Sequence, residues 1–410
     1  MTAAMNAASL LATLMAGDPA LAGKLDGGIV LLVAVKVVVA FAVLLVAVML
    51  YIWGMRKVIA DMQNRIGPAT AGPFGVLQTL ADGVKLFFKE QSIPSSADRT
   101  VFRLAPYLSI LPAFLMFCVI PIGGTVSMFG HRTNLQVADL PMGVLFILAM
   151  SGIGVYGVML AGWSSGSKYP LLGSVRASAQ VLSYEAAFGL GILGVLIQAG
   201  TLSTRGIAAQ QAWVSWRSIF TDWYLLPCLI PFAIFLIAAV AETNHPPFDL
   251  VEAEQELVGG FHTEYTGIRF AIFFLAEFMN VITMSAVAVT LFLGGPSGPA
   301  FGFLPAQGSV NVWFVPVFWF LVKLLALLFG TVWLRASLPR LRYDQLMALG
   351  WKWLIEIAIL WVMVSAGFVV ARDRDWPLWA YGAITGSGLL AWGMLYLSIP
   401  KPGEPVEDFR

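Results

Sequence analysis

The chain has 410 residues, of which 59% are hydrophobic and only 11% are charged, and its formal net charge is +1. Its mean hydropathy is +0.82, which excludes a water-soluble domain of ordinary composition. The nearly balanced charge also argues against a nucleic-acid partner. The composition therefore predicts a polytopic membrane protein.

Nine apolar runs approach or exceed the roughly 20 residues that a helix needs to cross a bilayer. They cover residues 29–54, 103–122, 141–162, 180–199, 222–241, 268–293, 311–334, 351–371 and 378–398. We expect an all-α fold with eight membrane helices in residues 29–371 and an appended ninth helix in residues 372–398. Residues 1–28 would form an external segment, without the basic start of a cleaved signal peptide, and residues 399–410 a cytoplasmic tail.

The distribution of basic residues predicts the orientation. Of the 24 Lys and Arg residues, 16 lie in or beside the tail and the loops between helices 1–2, 3–4, 5–6 and 7–8, whereas six lie on the opposite side. Cytoplasmic loops carry an excess of Lys and Arg. The N-terminus is therefore expected outside, and the C-terminus, with Lys401 and Arg410, in the cytoplasm.

One stretch, residues 242–260 (ETNHPPFDLVEAEQELVGG), carries five carboxylates and no Lys or Arg; we call it the acidic hinge. Its acids are Glu242, Asp249, Glu252, Glu254 and Glu256, and Glu264 follows shortly after. Crowded carboxylates disfavour one another's ionised forms. Pro246 and Pro247 end the preceding helix, and a helix resuming at Leu250 would place Glu252 and Glu256 on one face. A solvated acidic loop is the alternative interpretation.

Residues 74–88 show a second pattern, with apolar side chains at intervals of three or four residues and polar side chains between them. The pattern predicts an amphipathic helix that lies along the membrane interface. Such a helix either anchors a surface loop or lines an opening into the protein.

Ionisable residues also occur within the predicted spans, where they are costly and usually face the bundle interior. They are Glu185, Glu277, Lys323 and Glu356. Each alone is compatible with a structural anchor between helices, and together they indicate a polar path for protons. In the basic loop after helix 7, Asp344 is the expected counter-charge of Arg335, Arg340 and Arg342.

Several chemistries are not indicated. The sequence has no P-loop, and its three histidines are scattered without the spacing of a metal site. Cys118 and Cys228 are isolated in separate apolar runs, so the chain does not by itself provide the ligands of an iron–sulfur cluster.

Four blocks, at residues 63–90, 162–185, 241–265 and 333–352, together resemble the quinone-chamber membrane subunit of respiratory complex I, which is the H subunit of the bacterial NADH-quinone oxidoreductase. The strongest block is PFDLVEAEQELVGG, at residues 247–260. The resemblance covers about residues 30–371, and the N-terminal segment and helix 9 lie outside it.

The resemblance implies an eight-helix core at the junction of the membrane and peripheral arms, in the bacterial plasma membrane. Quinone would be the substrate, and the flavin and iron–sulfur clusters would belong to partner subunits. Those partners would be the peripheral subunit with the terminal cluster, the quinone-reducing peripheral subunit and small neighbouring membrane subunits. This chain would then couple quinone reduction to proton translocation.

The resemblance also implies roles for particular residues. The quinone chamber would be lined by Arg56, Asp82, Lys85, Glu252, Glu254 and Glu256, and the proton-coupling path would contain Glu185, Glu242, Glu264 and Glu277. The sequence departs from the family pattern where Met55 replaces an acid, Ala69-Thr70 replaces Asn-Arg, and His245 replaces Arg. These departures predict a differently charged entrance, and a histidine titrates near neutral pH where an arginine does not.

Two alternatives remain at this stage. The homologous subunit of a membrane-bound hydrogenase shares these blocks but need not bind quinone. A stand-alone secondary cation transporter would also use buried Glu185, Glu277 and Lys323, although such transporters usually show paired repeats with broken helices, and the sequence shows a single Pro-broken acidic hinge.

Overall fold

A computed structural model describes residues 18–21, 26–213, 222–249, 259–299 and 309–398, and these residues are predominantly helical. The helices are α1 (Gly27–Met62), α2 (Gln78–Phe88), α3 (Arg99–Cys118), α4 (Gly143–Ser164), α5 (Lys168–Ala199), α6 (Thr204–Gln210), α7 (Leu229–Glu242), α8 (Ile268–Phe292), α9 (Ser309–Ser337), α10 (Tyr343–Ala348), α11 (Ile355–Asp373) and α12 (Leu378–Ser398). A π-helical turn, Leu349–Leu354, joins α10 to α11. Short 3-10 turns occur at Pro19–Leu21, Pro73–Gly75 and Gly260–His262.

Seven of the helices in the described part of the chain are long and apolar enough to cross a membrane. They are α1, α3, α4, α5, α8, α9 and the continuous helix formed by α10 and α11. The structure therefore agrees with a mostly helical, polytopic membrane protein. The total of nine crossings and the orientation of the two ends stay predictions.

Several predicted spans have different bounds in the structure, and the span predicted at 351–371 begins at Tyr343. Helix α1 continues two turns beyond residue 54, since residues 55–62 contain neither Gly nor Pro. Helix α5 begins at Lys168 rather than at residue 180, because its first turns are too polar to register as an apolar run. Helix α7 has only 14 residues, about 21 Å at 1.5 Å per residue, which is shorter than the apolar core of a bilayer.

A small β-hairpin interrupts the helical pattern between α3 and α4. Its strands, β1 (Thr125–Met128) and β2 (His131–Asn134), are antiparallel, with Thr125 opposite Asn134 and Met128 opposite His131. Both turn residues, Phe129 and Gly130, have positive φ angles, as the type I′ turn of a two-residue hairpin requires. Strands of four residues in a polar loop leave no clear periodic signal, so sequence reasoning did not predict the hairpin.

The hairpin holds part of the segment that precedes α1. Asp18 is buried, pairs with Lys36 of α1 at 2.7 Å and accepts a hydrogen bond from the Thr133 hydroxyl at 2.8 Å. Burial by itself raises the pKa of Asp18, but the hydrogen bonds from Lys36, Ala20 and Thr133 outweigh burial and hold this pKa below its usual range. The carboxylate therefore stays charged, which compensates the charge of Lys36 within the apolar helix.

Helix α8 is the most deeply buried of the seven candidate spans, with 72% of its apolar window buried inside the protein. It contacts α3, α7, α9 and α1. A residue on α8 therefore faces other helices on most sides. This position is important because α8 carries Glu277.

Helix α4 packs against α3 and against α5 through glycines. A Cβ atom at Gly157 of α4 would lie 2.8 Å from the backbone nitrogen of Ser109 and 3.0 Å from the carbonyl oxygen of Ala105, both on α3. A Cβ at Gly162 would likewise meet the backbone of Pro170 on α5. Small residues allow membrane helices to approach closely enough for backbone contact.

Helix α12 packs along α11 by a reciprocal fit. The Ile384 side chain of α12 fills the space above Gly367 of α11, and the Val364 side chain of α11 fills the space above Gly388 of α12. The predicted helix at residues 378–398 is therefore present with the expected bounds. Its crossing of the membrane stays a prediction.

The contact at Gly157 gives the first prediction. Gly157→Ala should destabilise the bundle by about 1–3 kcal/mol because the added methyl group meets backbone atoms that cannot move aside easily. Gly154→Ala, nearly one turn earlier on α4, is the matched control, since nothing lies within 4 Å of a Cβ there. The thermal inactivation midpoint of membranes that contain each variant measures the effect, and equal midpoints would contradict the close packing.

Candidate functional site

A partly open cavity of about 80 Å³ lies among α3, α4, α5, α7 and α8. Much of its wall is apolar, and its polar lining residues are Ser109, Ser151, Glu242, Thr243, Asn244, His262, Glu277 and Asn280. A buried water needs roughly 10–15 Å³ of such space and two to four polar partners. The cavity is therefore large and polar enough for several water molecules.

Glu242 is the last residue of α7 and is buried in the cavity wall. One of its carboxylate oxygens, Oε1, accepts a hydrogen bond from the Ser151 hydroxyl of α4. The other oxygen, Oε2, is buried and has no hydrogen-bond partner among the described residues. A carboxylate in this position depends on cavity water or on a bound proton for the rest of its stabilisation.

Two further polar atoms of the cavity wall are buried without a hydrogen-bond partner among the described residues. Ser109 Oγ on α3 and Asn280 Oδ1 on α8 are buried and have no hydrogen-bond partner in the described part of the chain. Buried polar groups are nearly always satisfied by protein or by ordered water. Three such atoms around one cavity indicate a hydrated interior.

Glu277 of α8 connects the same cavity to the acidic hinge. Its Oε1 atom lies 3.2 Å from Nδ1 of the buried His245, and the same nitrogen lies 2.8 Å from the carbonyl oxygen of Thr243. Because the carbonyl can only accept, this arrangement favours the tautomer in which Nδ1 carries the proton. The His245 ring also packs edge-on against Phe278 at 5.2 Å, which fixes its orientation.

Glu185 approaches the cavity from α5. Its position is one turn after Val181, which lines the cavity, and a Cβ atom at Gly152 of α4 would lie 2.9 Å from Glu185 Oε1. Ser151, the residue before Gly152, donates to Glu242. Glu185 and Glu242 therefore reach consecutive residues of α4.

The hinge residues before Leu250 are hydrogen-bonded to α5 and to the linker between α9 and α10. The Gln180 amide of α5 donates to the carbonyl oxygens of Ala241 and Phe248, both at 2.9 Å. On the other side, Arg340 pairs with the buried Asp249 at 2.9 Å. The Leu341 backbone N–H donates to the Pro247 carbonyl at 3.0 Å, so the linker between α9 and α10 is held against the hinge.

The comparisons with known proteins identify the family. A family model described as NADH dehydrogenase matches residues 35–366. The H subunit of NADH-quinone oxidoreductase from Frankia alni is 51% identical over 389 residues, which is 94% of this chain and 83% of that relative. The protein of the same name from Frankia casuarinae is 51% identical over 375 residues, covering 91% and 80% of the two chains. This chain belongs to the same family. The resemblance drawn from the four sequence blocks is thereby confirmed.

Within this NADH dehydrogenase family fold, the structure brings together three of the four glutamates that the sequence assigned to one path. Glu242 and Glu277 line the cavity and Glu185 lies beside it. Glu264 is half-buried in the turn after His262, and it does not line the cavity.

The predicted chamber residues divide into three groups. Arg56 and Asp82 form an ion pair at 2.6 Å, supported by the Gln78 amide at 3.1 Å from Asp82, and all three line an open pocket whose wall includes Thr70. Lys85 is exposed on α2 and does not line this pocket. Glu252, Glu254 and Glu256 lie outside the described residues.

Helix α2 confirms the amphipathic prediction and leaves its apolar face uncovered. None of its residues is buried, and Leu80, Val84, Phe87 and Phe88 expose about half or more of their surface. The helix is attached to α1 by the hydrogen bond from Thr79 Oγ1 to the Met49 carbonyl at 3.3 Å. The Arg56–Asp82 pocket thus lies beside an exposed apolar surface.

Lys323 does not line the cavity that holds Glu242 and Glu277. Its ammonium group donates to the carbonyl oxygens of Leu293, Gly295 and Ser297 at 2.6, 3.1 and 2.6 Å and lies 4.3 Å from the centre of the Trp223 ring. These carbonyls follow the C-terminus of α8, where a cation is favourable. Lys323 therefore caps the C-terminal end of α8, as the structural-anchor interpretation expects, and its place in a proton path stays a prediction.

Two other expectations on charged residues need correction. Arg340 pairs with Asp249 instead of Asp344, and Asp344 makes only an exposed contact of 3.7 Å with Arg342. Glu356 is half-buried at the start of α11 and does not line the cavity.

Sequence reasoning missed His262, which lines the cavity next to the hinge. Burial lowers the pKa of His262 to about 4, so its ring is neutral at ordinary pH. The only signal in the sequence was its place in the HTEY segment directly after the acidic hinge. Ser151 and Asn280 carried no signal at all.

The packing of Glu185 against Gly152 generates a prediction. Gly152→Ala should push the flexible Glu185 carboxylate away from α4 without changing any charge, and it should lower quinone-dependent turnover of the assembled enzyme severalfold. Gly189→Ala on α5 is the control, because nothing lies within 4 Å of a Cβ at that position. Rates of NADH oxidation by membranes with added quinone test this, and normal turnover in Gly152→Ala would show that the position of Glu185 does not matter.

Proposed function

We propose that this chain forms the wall of the quinone-access chamber and the first part of the proton-coupling path in a proton-pumping NADH-quinone oxidoreductase. One observation carries the proposal: Glu242 and Glu277 share a hydratable cavity with direct connections to the acidic hinge. Family membership supplies the enzyme, since both curated relatives are named as a subunit of NADH-quinone oxidoreductase. The same names favour the quinone enzyme over a hydrogenase-type complex.

The chamber is proposed to open beside Arg56 and Asp82. An ion pair with roughly a third of each side chain exposed offers a polar wall for a quinone head group, and the exposed apolar face of α2 suits an isoprenoid tail or lipid. Thr70 replaces the family arginine in this pocket, which leaves Arg56 as the cation nearest Asp82. Lys85 and the hinge acids Glu252, Glu254 and Glu256 are proposed to complete the chamber.

Quinone reduction consumes two electrons and two protons. The electrons would come from an iron–sulfur cluster in a peripheral partner subunit, and the protons from groups that line the chamber. Removal of protons next to the hinge changes the charge that its carboxylates carry. Such a change alters the preferred arrangement of the hinge and of every group bound to it.

Two contacts would carry this change into the bundle. His245 joins the hinge to Glu277, and Glu242 is itself the first hinge residue and is bound to α4 through Ser151. Water in the cavity between them would allow protons to move among Glu242, Glu277 and Glu185. Glu264 is proposed to join this path from the turn after His262.

The orientation follows from the same proposal. The hinge, α2 and the α9–α10 linker would face the cytoplasm, where the peripheral subunits dock, and the hairpin would face the outside. The membrane would be the bacterial plasma membrane, and small membrane subunits next to this chain would continue the proton path.

The coupling role predicts the effect of removing one charge at a time. Glu242→Gln and Glu185→Gln keep the shape of each side chain but prevent proton uptake, so each should lower NADH-to-quinone turnover and proton pumping by about 10- to 100-fold. Electron transfer from NADH to an artificial acceptor at the flavin should stay normal. Equal loss of both activities would indicate failed assembly, and unchanged pumping would contradict the proposal.

If the acidic hinge lines the quinone chamber, substitutions of its acids should change the kinetics of quinone reduction. Glu252→Ala or Glu256→Ala should reduce quinone reduction about tenfold or more, with the Michaelis constant for a short-chain quinone affected together with the rate. Glu90→Gln, an exposed acid just after α2, serves as the control for loss of surface charge. Normal quinone kinetics in both hinge variants would remove these acids from the chamber.

A further inference from the structure

The β-hairpin between α3 and α4 is buried at its base and exposed at its tip. Thr133 and Asn134, at the end of β2, expose 0% and 2% of their surface, whereas Met128 and Phe129 expose 38% and 68%. Arg132 is also exposed. The tip therefore presents two large apolar side chains and one cation, although its base is held against the rest of the protein.

The first turn position of the hairpin holds a residue that the turn geometry disfavours. Phe129 has a φ angle of 52°, in a region that bulky residues rarely adopt. A type I′ turn prefers Asn–Gly, because Asn accepts this backbone conformation more readily, but the chain has Phe–Gly. A large ring that is kept at an unfavourable backbone position and left exposed indicates a contact with something outside the chain.

The tip lies beside the first turn of α1. A Cβ atom at Gly28 would lie 3.2 Å from Nε2 of His131, the residue that follows the turn. The apolar sequence of α1 begins at the next position, Ile29, and Val30 and Leu31 expose 62% and 58% of their surface. This is the level at which the apolar core of a bilayer gives way to its head groups.

The chemistry of the tip suits a phospholipid surface. Aromatic side chains are favoured at the boundary between lipid and water, and a guanidinium binds phosphate oxygens. Phe129 and Arg132 supply these two groups. The Asp26 carboxylate near the same turn of α1 accepts a hydrogen bond from the Gly27 N–H at 2.7 Å, so the positive end of the helix dipole compensates its charge.

We propose that the hairpin tip, residues 128–132, is a membrane anchor that places the Phe129 ring among the phospholipid head groups beside the start of α1. Arg132 then lies within the layer of lipid phosphates. The inference goes beyond the proposed function, because it requires only that α1 crosses the membrane.

The anchor fixes the depth of α1 in the bilayer. This helix has 36 residues and is about 54 Å long at 1.5 Å per residue, whereas the apolar core of a bilayer is about 30 Å thick. Length alone therefore leaves the position of α1 along the membrane normal undetermined, and contacts at the interface set it. The hairpin is connected to α1 because Thr133 and Lys36 both bind Asp18, and Lys36 also donates to the Gln136 carbonyl at 3.1 Å.

Photochemical cross-linking of the assembled enzyme in native membranes identifies what the tip contacts. The photoreactive residue benzoylphenylalanine replaces Phe129 in one variant and Val38, which is 67% exposed on α1, in the control. Irradiation should join position 129 to phospholipid, as measured by the mass of the cross-linked peptide, and position 38 likewise. An adduct of position 129 with a neighbouring protein, or no adduct there while position 38 is joined to lipid, would overturn the anchor.

Matched substitutions test the ring by its effect on stability. Phe129→Trp keeps an aromatic side chain for the interface, whereas Phe129→Asn removes the ring and suits the turn better. The thermal inactivation midpoint of NADH-to-quinone turnover in membranes should fall by a few degrees in Phe129→Asn, by less in Arg132→Gln, and stay unchanged in Phe129→Trp. An unchanged or higher midpoint in Phe129→Asn would assign Phe129 to the turn alone and overturn the anchor. Turnover before heating should be normal in all three variants, so this result is independent of the coupling role of the glutamates.

Discussion

A carboxylate inside an apolar helix bundle must be stabilised by groups that the protein itself provides, and the organisation of this molecule follows from that requirement. Glu242 and Glu277 come from different helices, yet each has a polar neighbour and both share a hydratable space. The helices around them are arranged to permit this. Glycines bring α3, α4 and α5 close together, and Gly152 leaves room for the Glu185 carboxylate.

The sequence was sufficient for the parts of the fold that are governed by hydropathy. Helices α3, α4 and α8 lie within a few residues of the predicted spans, because long apolar runs have one stable arrangement in a bilayer. Hydropathy is a poor guide where polarity and helix formation disagree. The first turns of α5 are helical although they are polar, and the segment before α7 is apolar but not helical.

Part of the candidate site was predictable from the sequence, but the basis was motif resemblance and not hydropathy. Motif resemblance identified the glutamates, but it gave no information on Ser151, His262 or Asn280, because their roles depend on which helices meet. Lys323 shows a different limit of the sequence. A charged residue inside a span gives the same signal whether it relays protons or, as here, donates to carbonyls at a helix end. Only the packing distinguishes these two cases.

The reciprocal fit of α11 and α12 has a consequence for the outer boundary of the bundle. Since Ile384 and Val364 each fill the space above a glycine of the other helix, the two helices form a double layer on this side, and α12 presents Trp379, Leu389, Leu390 and Met394 outward. Lipid or a neighbouring protein that approaches α11 across this layer meets α12 first. Substitutions on that outward face can therefore change what the protein presents to its surroundings without disturbing the inner helices.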